Sequence, residues 1–500
     1  MTSSTPESAS SRSSTATSPP TARHALIYGI GSLIALVSGI VMLPVYTHAL
    51  EPAQYGVLDT VLRFVNVCMV VAFLGLRQGY LRFTFDKPTD DWRKPLTSTT
   101  IAGVFLVSGA IMFPLLVIAS LFASHTGFAL LTPLNSAALA VWLAFEATYL
   151  LGLSFLQIRF RSRQFVIAQG ARALSLVSLN FSFLHVFHLG LNGALIGNIL
   201  ASLVSGGTAG LALLRWSKLH LSMPVLRELV TFGLPYIPTA VFTYIITNAD
   251  RLALIQFGII SSLGLLSLAS KLGDMALSLL SNPIENVWVP FAFAVRDQSD
   301  GARRIGVLFT RYLSFCVLVG LTVSLAAPIA IQLLTTSRYE AAGDLVPIVA
   351  IGCIFSNIAG LADLGILMAK RTKLKPFITG FAAAAAVVMQ VVLTPRFGVL
   401  GAVIATTLTG ILLFGTTHWV ARRFYSFELR PGHLMTIALG AVGGFALGRF
   451  LEWRIPGLAG GILGTLAGLG LYSLSLQVAG VITFKEVTGF GEQLLRRKRA

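Results

Sequence analysis

The chain has 500 residues, of which 55% are hydrophobic and only 11% charged, and it carries a formal net charge of +17. A soluble domain has about 25% charged residues, so these few cannot coat a globule of this size, and the remaining surface must face lipid. The cations are gathered in short turns between apolar runs, which argues against a nucleic-acid-binding role and for a report of membrane topology.

Thirteen of residues 2–21 are Ser or Thr, with Pro6, Pro19 and Pro20 among the rest. Residues 1–23 therefore read as a disordered cytoplasmic tail that cannot bury apolar area, and the long apolar run behind it does not fit a cleaved signal peptide. A spanning helix needs about 20 mostly apolar residues. Fourteen such runs are predicted, at 24–48, 57–80, 98–122, 134–157, 165–187, 194–214, 228–249, 259–286, 307–333, 345–368, 376–395, 399–420, 433–450 and 457–482. They are too long for barrel strands and lack strict alternation. The expected fold is thus all-α and polytopic. A six-helix lobe over 24–216 and a cytoplasmic linker at 217–227 precede a second six-helix lobe over 228–421. Helices 13 and 14 follow at 431–482, and a basic cytoplasmic tail at 483–500 closes the chain.

The charges support this count. With the N-terminus inside, the inner turns and tails hold 27 Lys and Arg residues and the seven outer turns hold five: Arg251, Arg338, Arg396, Arg449 and Arg454. One missed helix would scramble that alternation, so an even count with both termini cytoplasmic is expected. Cys68, Cys316 and Cys353 all fall inside apolar runs and show neither metal spacing nor a disulfide framework.

The two halves resemble each other. Tyr55-Gly56-Val57-Leu58 followed by Arg63-Phe64 matches Leu263-Gly264-Leu265-Leu266 followed by Lys271-Leu272. Asn192-Gly193-Ala194-Leu195-Ile196 matches Leu400-Gly401-Ala402-Val403-Ile404 at the same offset of 208 residues. The offset pairs helices running in the same direction, so the repeats are expected to be parallel, around a central cavity.

Several stretches then carry a family resemblance. They are Leu50 to Arg82 with Tyr55-Gly56; Phe232-Gly233-Leu234-Pro235 through Asn248-Ala249-Asp250-Arg251 to Lys271; Tyr339-Glu340-Ala341-Ala342; Ala369-Lys370-Arg371-Thr372-Lys373; and Pro395-Arg396-Phe397-Gly398 with Gly401-Ala402. In this order and spacing the chain resembles the polysaccharide flippases of the multidrug/oligosaccharidyl-lipid/polysaccharide transporter superfamily. The resemblance implies fourteen helices in the cytoplasmic (inner) membrane, no cofactor and no enzymatic activity. It also implies export of an isoprenoid-diphosphate-linked oligosaccharide for surface polysaccharide or lipopolysaccharide, alongside glycosyltransferases and a polymerase. A peptidoglycan lipid-precursor flippase and a cation or drug antiporter of the same superfamily are the alternatives. A membrane polymerase or ligase would need a catalytic constellation on a sizeable outer loop, and the outer turns are short.

Ionisable groups inside spans are costly and are functional candidates by default. Five cations qualify: Arg63, Arg77, Arg172, Lys271 and Arg311. Arg77 and Arg311 lie within snorkelling reach of the cytoplasmic end. Arg63 and Lys271 are deeper and equivalent under the repeat. Each has a carboxylate on its own helix face, Asp59 for Arg63 and Asp274 for Lys271, so charge pairing and a cationic substrate site are both open. Arg172 has no acid within a turn and is assigned with Arg63 and Lys271 to a cationic cavity for the diphosphate. Glu146 is read as an ion-coupling or pairing carboxylate. Asp250 and Arg251 are expected to hold an extracytoplasmic turn at the end of helix seven. No metal site is expected.

Overall fold

The structure is a computed structural model that describes residues 22–73, 76–86, 89–114, 117, 133–218, 220–234, 236–369 and 371–481. Most of the N-terminal tail and all of the C-terminal one lie outside the described residues, as does the far end of the 98–122 run. Among the described residues every ordered element is a helix.

The N-terminal half contains α1 (Ala22–Ala49), α2 (Pro52–Phe73), α3 (Leu76–Asp86), α4 (Asp90–Val107, continued by a π turn at Ser108–Met112), α5 (Pro133–Ile158), α6 (Ser162–Phe181) and α7 (Gly190–Ser217). The C-terminal half contains α8 (Met223–Gly233), α9 (Tyr236–Gln256), α10 (Leu263–Val295), α11 (Gly301–Leu334), α12 (Val346–Ala362), the short α13 (Leu364–Met368) and α14 (Lys375–Ala421). A last hairpin is made of α15 (Pro431–Arg454) and α16 (Leu458–Val478).

Three predicted runs are broken into two helices, the 345–368 run at Asp363 between α12 and α13. The 57–80 run spans α2 and α3, and the chain of the 228–249 run bends by 48° between α8 and α9, on either side of Pro235. Proline has no N–H and its ring clashes with the preceding turn, which accounts for the break between α8 and α9. Conversely, α14 covers 47 residues, too many for a single crossing. At 1.5 Å per residue it would be ~70 Å long, over twice the ~30 Å hydrocarbon core. Gly398 resolves this: its φ of 59° and ψ of −135° interrupt the helical backbone, a conformation that needs the absence of a Cβ. Gln390 Nε2 donates to Ala402 O at 3.0 Å and to Thr406 Oγ1 at 3.1 Å across the break. The predicted pair 376–395 and 399–420 is therefore a hairpin that turns at Gly398.

By length and composition, eight segments among the described residues can cross a membrane with the two-armed α14 counted once, and nine if α8 and α9 form one bent span. Helices α2, α6 and α10 are not in that set; they carry Asp59, Arg63, Arg172, Lys271 and Asp274. The outer surface is apolar. Phe377, Val388, Leu439, Val442 and Leu466 are all more than 60% exposed, as lipid-facing side chains are and as a water-facing surface is not.

Inside, α1 packs along α6, α5 along α7, and α12 and α9 against the two arms of α14, while α15 and α16 lie against α11. One buried cluster joins the halves, with Met42, Tyr46 and Leu58 from the first against Leu254, Leu263, Tyr339 and Val346 from the second. Its tightest point is a glycine pair. A Cβ on Gly56 would stand 2.5 Å from Gly264 N, and one on Gly264 would stand 2.0 Å from Pro52 O. These two glycines are the positions that the 208-residue offset pairs, and they lie against each other.

Candidate functional site

Asp59 and Arg63 are four residues apart on α2 and so share a face, the one turned to α9 and α10. Arg63 Nε donates to Asp59 Oδ2 at 2.9 Å, and Arg63 Nη2 reaches Asp274 Oδ2 on α10 at 3.5 Å. The other Asp274 oxygen accepts from Cys353 Sγ on α12 at 3.3 Å. From α9, Arg251 Nε donates to Asp59 Oδ2 at 3.2 Å while its Nη1 donates to both oxygens of Asp250, at 3.0 and 3.2 Å. A continuous chain thus runs Asp250, Arg251, Asp59, Arg63, Asp274, Cys353 across four helices. Two of its links, Arg251 to Asp59 and Arg63 to Asp274, connect the two halves.

This overturns the reading of Asp250 and Arg251 as an extracytoplasmic turn. Helix α9 continues to Gln256, and both residues lie inside it, 2% and 1% exposed. The apolar sequence breaks at 249 because a charge counts against a span, whereas the folded helix runs on because Asp59 neutralises Arg251 from the neighbouring helix. Asp274 likewise pairs with Arg63 across the interface rather than with Lys271 on its own helix. Among the described residues Lys271 has no carboxylate within ion-pair distance, although it acts through space on Asp59. In their usual charge states Arg63, Arg251 and Lys271 balance Asp59, Asp250 and Asp274, so the cluster is neutral rather than cationic.

The chain borders a cavity of 480 Å³ between α9, α10, α12 and α14, with Arg63 as the contribution of α2. Of the charged side chains lining it, Asp274 is 52% exposed, Arg63 21% and Arg251 2%. Arg251 Nη2 is buried and has no hydrogen-bond partner among the described residues. Burial of a charged donor without a partner is expensive.

The remaining candidates form a separate group inside the N-terminal half. Arg172 Nη2 donates to Glu146 Oε2 at 2.8 Å and Nη1 to Ser205 Oγ at 3.3 Å, and the Ser202 hydroxyl lies 2.6 Å from the same Glu146 oxygen. The guanidinium also stands 5.7 Å from the Tyr149 ring centroid. Asn198, one turn along α7 from Ser202, donates to Tyr46 Oη at 2.9 Å and so continues the polar strip toward α1. Arg172 therefore finds its acid on α5, a partner that distance along the chain conceals. Replacing Arg172 with Gln alone is expected to lower the detergent melting temperature by several degrees, because Glu146 would be left charged and unpaired in a half-buried site. Adding Glu146→Gln should restore most of the loss. A single variant as stable as the double would remove the pair from the structural account.

Sequence reasoning gave Cys353 no role and did not single out Thr243, Asn357 or Thr379, which also line the cavity. Nothing in their local sequence marks them, since they are ordinary polar residues on apolar helices brought together only by packing. Among the described residues no group of three or more His, Cys, Asp or Glu side chains is arranged to hold a metal ion.

The family described as "Polysaccharide biosynthesis protein" matches residues 47–344, a stretch that contains Asp59, Arg63, Glu146, Arg172, Asp250, Arg251, Lys271 and Asp274. No curated protein matches the chain. Among solved structures, the lipid II flippase MurJ in an inward closed conformation aligns over 92% of this chain and 98% of its own, with a TM-score of 0.71 and 12% identity. A multidrug resistance MATE family transporter of the MOP superfamily, in an inward-facing conformation, aligns over 80% of this chain and 97% of its own, with a TM-score of 0.60 and 12% identity. At such identity the likeness is one of fold.

Proposed function

The chain belongs to the polysaccharide biosynthesis protein family, and from that premise we propose that it is a flippase. Its cargo is an isoprenoid-diphosphate-linked oligosaccharide, carried across the cytoplasmic membrane by alternating access for surface polysaccharide or lipopolysaccharide. The observation that carries the reading is the charged chain between the halves at the edge of a cavity. Its two cross-half links, Arg251 to Asp59 and Arg63 to Asp274, must part and re-form if the halves rock. While they are parted, Arg63 and Arg251 each lose a carboxylate partner and become available to an anion. Lys271, which has no carboxylate within ion-pair distance among the described residues, adds a third cation near Asp59. A dehydrated diphosphate needs several fixed, charge-assisted donors of this kind. Arg172 is held by Glu146 in this conformation and would join such a site only by giving up that partner. The polyprenyl tail stays in lipid along the apolar outer surface.

The test is transport in reconstituted vesicles of three cargoes: a lipid-linked oligosaccharide, lipid II, and a lipophilic cation. Flipping of the first alone supports the proposal. Flipping of lipid II alone would favour a peptidoglycan-precursor flippase, with which the fold is shared. Cation export alone would favour an antiporter.

Orientation is tested separately. Reporter fusions after Arg163 and Lys373 are expected to report the cytoplasm, and a fusion after Gly190 the opposite side. One reversed fusion would break the fourteen-helix arrangement with both termini inside.

A further inference from the structure

A second cavity, of 350 Å³, is built wholly from the N-terminal half, between α5, α6 and α7. Leu153 and Leu156 come from α5, while the facing positions of α6 and α7 are small, Ala168, Ala171, Ala209 and Ala212, which leaves the gap unfilled. Ser205 and Thr208 donate their hydroxyl protons to Ala201 O and Val204 O on their own helix, at 2.8 and 2.9 Å, and Tyr149 bonds to Gln169. Among the described residues Ser175 completes the hydroxyls on the walls, so the groove makes little polar demand along its length. It opens on the outer surface: Ala171 and Ala212 are exposed, and Ile167, Leu174 and Leu211 beside them are more than half exposed. On α7 it runs from Trp216 to Val204. That interval of helix rises ~18 Å, close to one leaflet of a ~30 Å hydrocarbon core.

One end of the groove is basic. Residues 147–227 contain seven Lys and Arg and no Asp or Glu. Arg159, Arg161 and Arg163 fall at the turn between α5 and α6, and Arg215 and Lys218 at the end of α7. The two places meet, since the Arg159 guanidinium stands 4.2 Å from the Trp216 ring centroid. Arg161 lines the groove, is exposed, and donates a long hydrogen bond of 3.4 Å to Gln164 Oε1. Among the described residues it has no carboxylate within ion-pair distance. The alternation of charge along the sequence assigns this end to the cytoplasm.

We infer that the groove holds one acyl chain of an anionic phospholipid from the cytoplasmic leaflet, with the phosphate at Arg161. This lipid is not cargo, so the inference goes beyond the flippase reading and does not depend on it. Charge complementarity chooses the occupant. Basic pockets between membrane helices on the cytoplasmic side take anionic head groups, and the arginine fork matches phosphate oxygens. A zwitterionic lipid offers the same chain but brings its own cation to a basic end. The rival occupant is the cargo's isoprenoid tail, whose diphosphate would then lie here and not where the ion pairs part between the halves. The volume falls within the roughly 300–1,000 Å³ of ordinary ligand pockets. A chain seated there packs behind Ser205, which accepts from Arg172 at 3.3 Å, and so braces α6 against α7 beside the Arg172 and Glu146 pair.

The experiment uses the full chain in phosphatidylcholine vesicles and reads tryptophan fluorescence. Phosphatidylglycerol or phosphatidylcholine, brominated in the upper part of one acyl chain, replaces a rising share of the lipid, and bromine quenches the Trp216 indole in the groove wall. Saturable quenching is expected to favour phosphatidylglycerol by at least about fivefold, the worth of one cation at the membrane surface. Trp216→Phe should remove that saturable component while the other tryptophans keep theirs. Ala212→Phe fills the groove from an exposed position and should abolish the component, and Ala171→Phe does the same if the first variant does not fold. Arg161→Gln should bring the two lipids to within about twofold of each other, whereas Arg303→Gln, which removes an exposed charge outside the groove, should leave the preference intact. Equal quenching by the two lipids, or quenching that neither groove-filling variant changes, would overturn the inference. So would displacement of the brominated lipid by geranylgeranyl diphosphate at a lower mole fraction than by unbrominated phosphatidylglycerol, which would give the groove to the cargo's tail. None of these results bears on whether the chain transports a lipid-linked oligosaccharide.

Discussion

Arg251→Met is expected to destabilise the protein by about 3–5 kcal/mol, the range found when one partner of a buried ion pair is removed. The guanidinium is almost wholly enclosed and holds two carboxylates at once, Asp250 through Nη1 and Asp59 through Nε. Methionine fills a similar space, so lost packing contributes little. The loss comes from Asp250, 2% exposed and left charged without its counter-ion. Arg251→Lys should fare little better, because one ammonium on a flexible stem cannot reproduce the fixed fork that reaches two acids. Adding Asp250→Asn to Arg251→Met should recover a large part of the loss, since Asp59 keeps Arg63. The measurement is thermal unfolding in detergent together with the fraction of monodisperse protein. A single variant that melts with the wild type would mean the pair is not buried as described.

Gly264→Val should abolish transport while leaving protein in the membrane. Even an alanine Cβ here would stand 2.0 Å from Pro52 O and 2.6 Å from the Pro52 carbonyl carbon. The obstacle is backbone at the start of α2, which cannot rotate aside as a side-chain tip can. The halves must then move apart, and overpacking of this kind costs about 1–3 kcal/mol. That cost falls on the conformation with the halves closed at this point, so the cycle stalls even where each half still folds. Gly56→Ala, aimed at the backbone of Leu263 and Gly264, should behave in the same way. Gly415, whose Cβ would meet nothing within 4 Å, supplies the control: Gly415→Ala should transport normally. Equal transport by Gly264→Val and Gly415→Ala would remove the glycine contact from the mechanism.

How far the sequence foretold this arrangement depends on what kind of signal each feature leaves. The apolar runs were legible because lipid demands about 20 apolar residues for each crossing, and each of them contains helix among the described residues. The bend between α8 and α9 was less visible, since its prolines occur in a run that is otherwise continuous. The Asp59 and Arg63 pair could be read because helix geometry puts residues four apart on one face. The contacts of Asp274 with Arg63, Arg251 with Asp59, and Arg172 with Glu146 could not. Each joins helices 26 to 211 residues apart, and nothing local distinguishes a charge that has a distant partner from one that lacks it. That same blindness made Arg251 look like a turn residue and made the cavity look cationic.

The neutrality of the interface has an electrical consequence. Three cations and three anions lie close together where the halves meet, and Arg172 travels with Glu146. Rocking the halves therefore carries almost no net protein charge through the field of an energised membrane. The work done by that field, about 2.3 kcal/mol per elementary charge per 100 mV, falls on the cargo alone. The empty carrier should return at a rate that ignores voltage, and the loaded step should be accelerated by an inside-negative potential in proportion to the charge of whatever it holds. The steepness of transport against an imposed potassium diffusion potential is then a direct count of the charges on the bound head group.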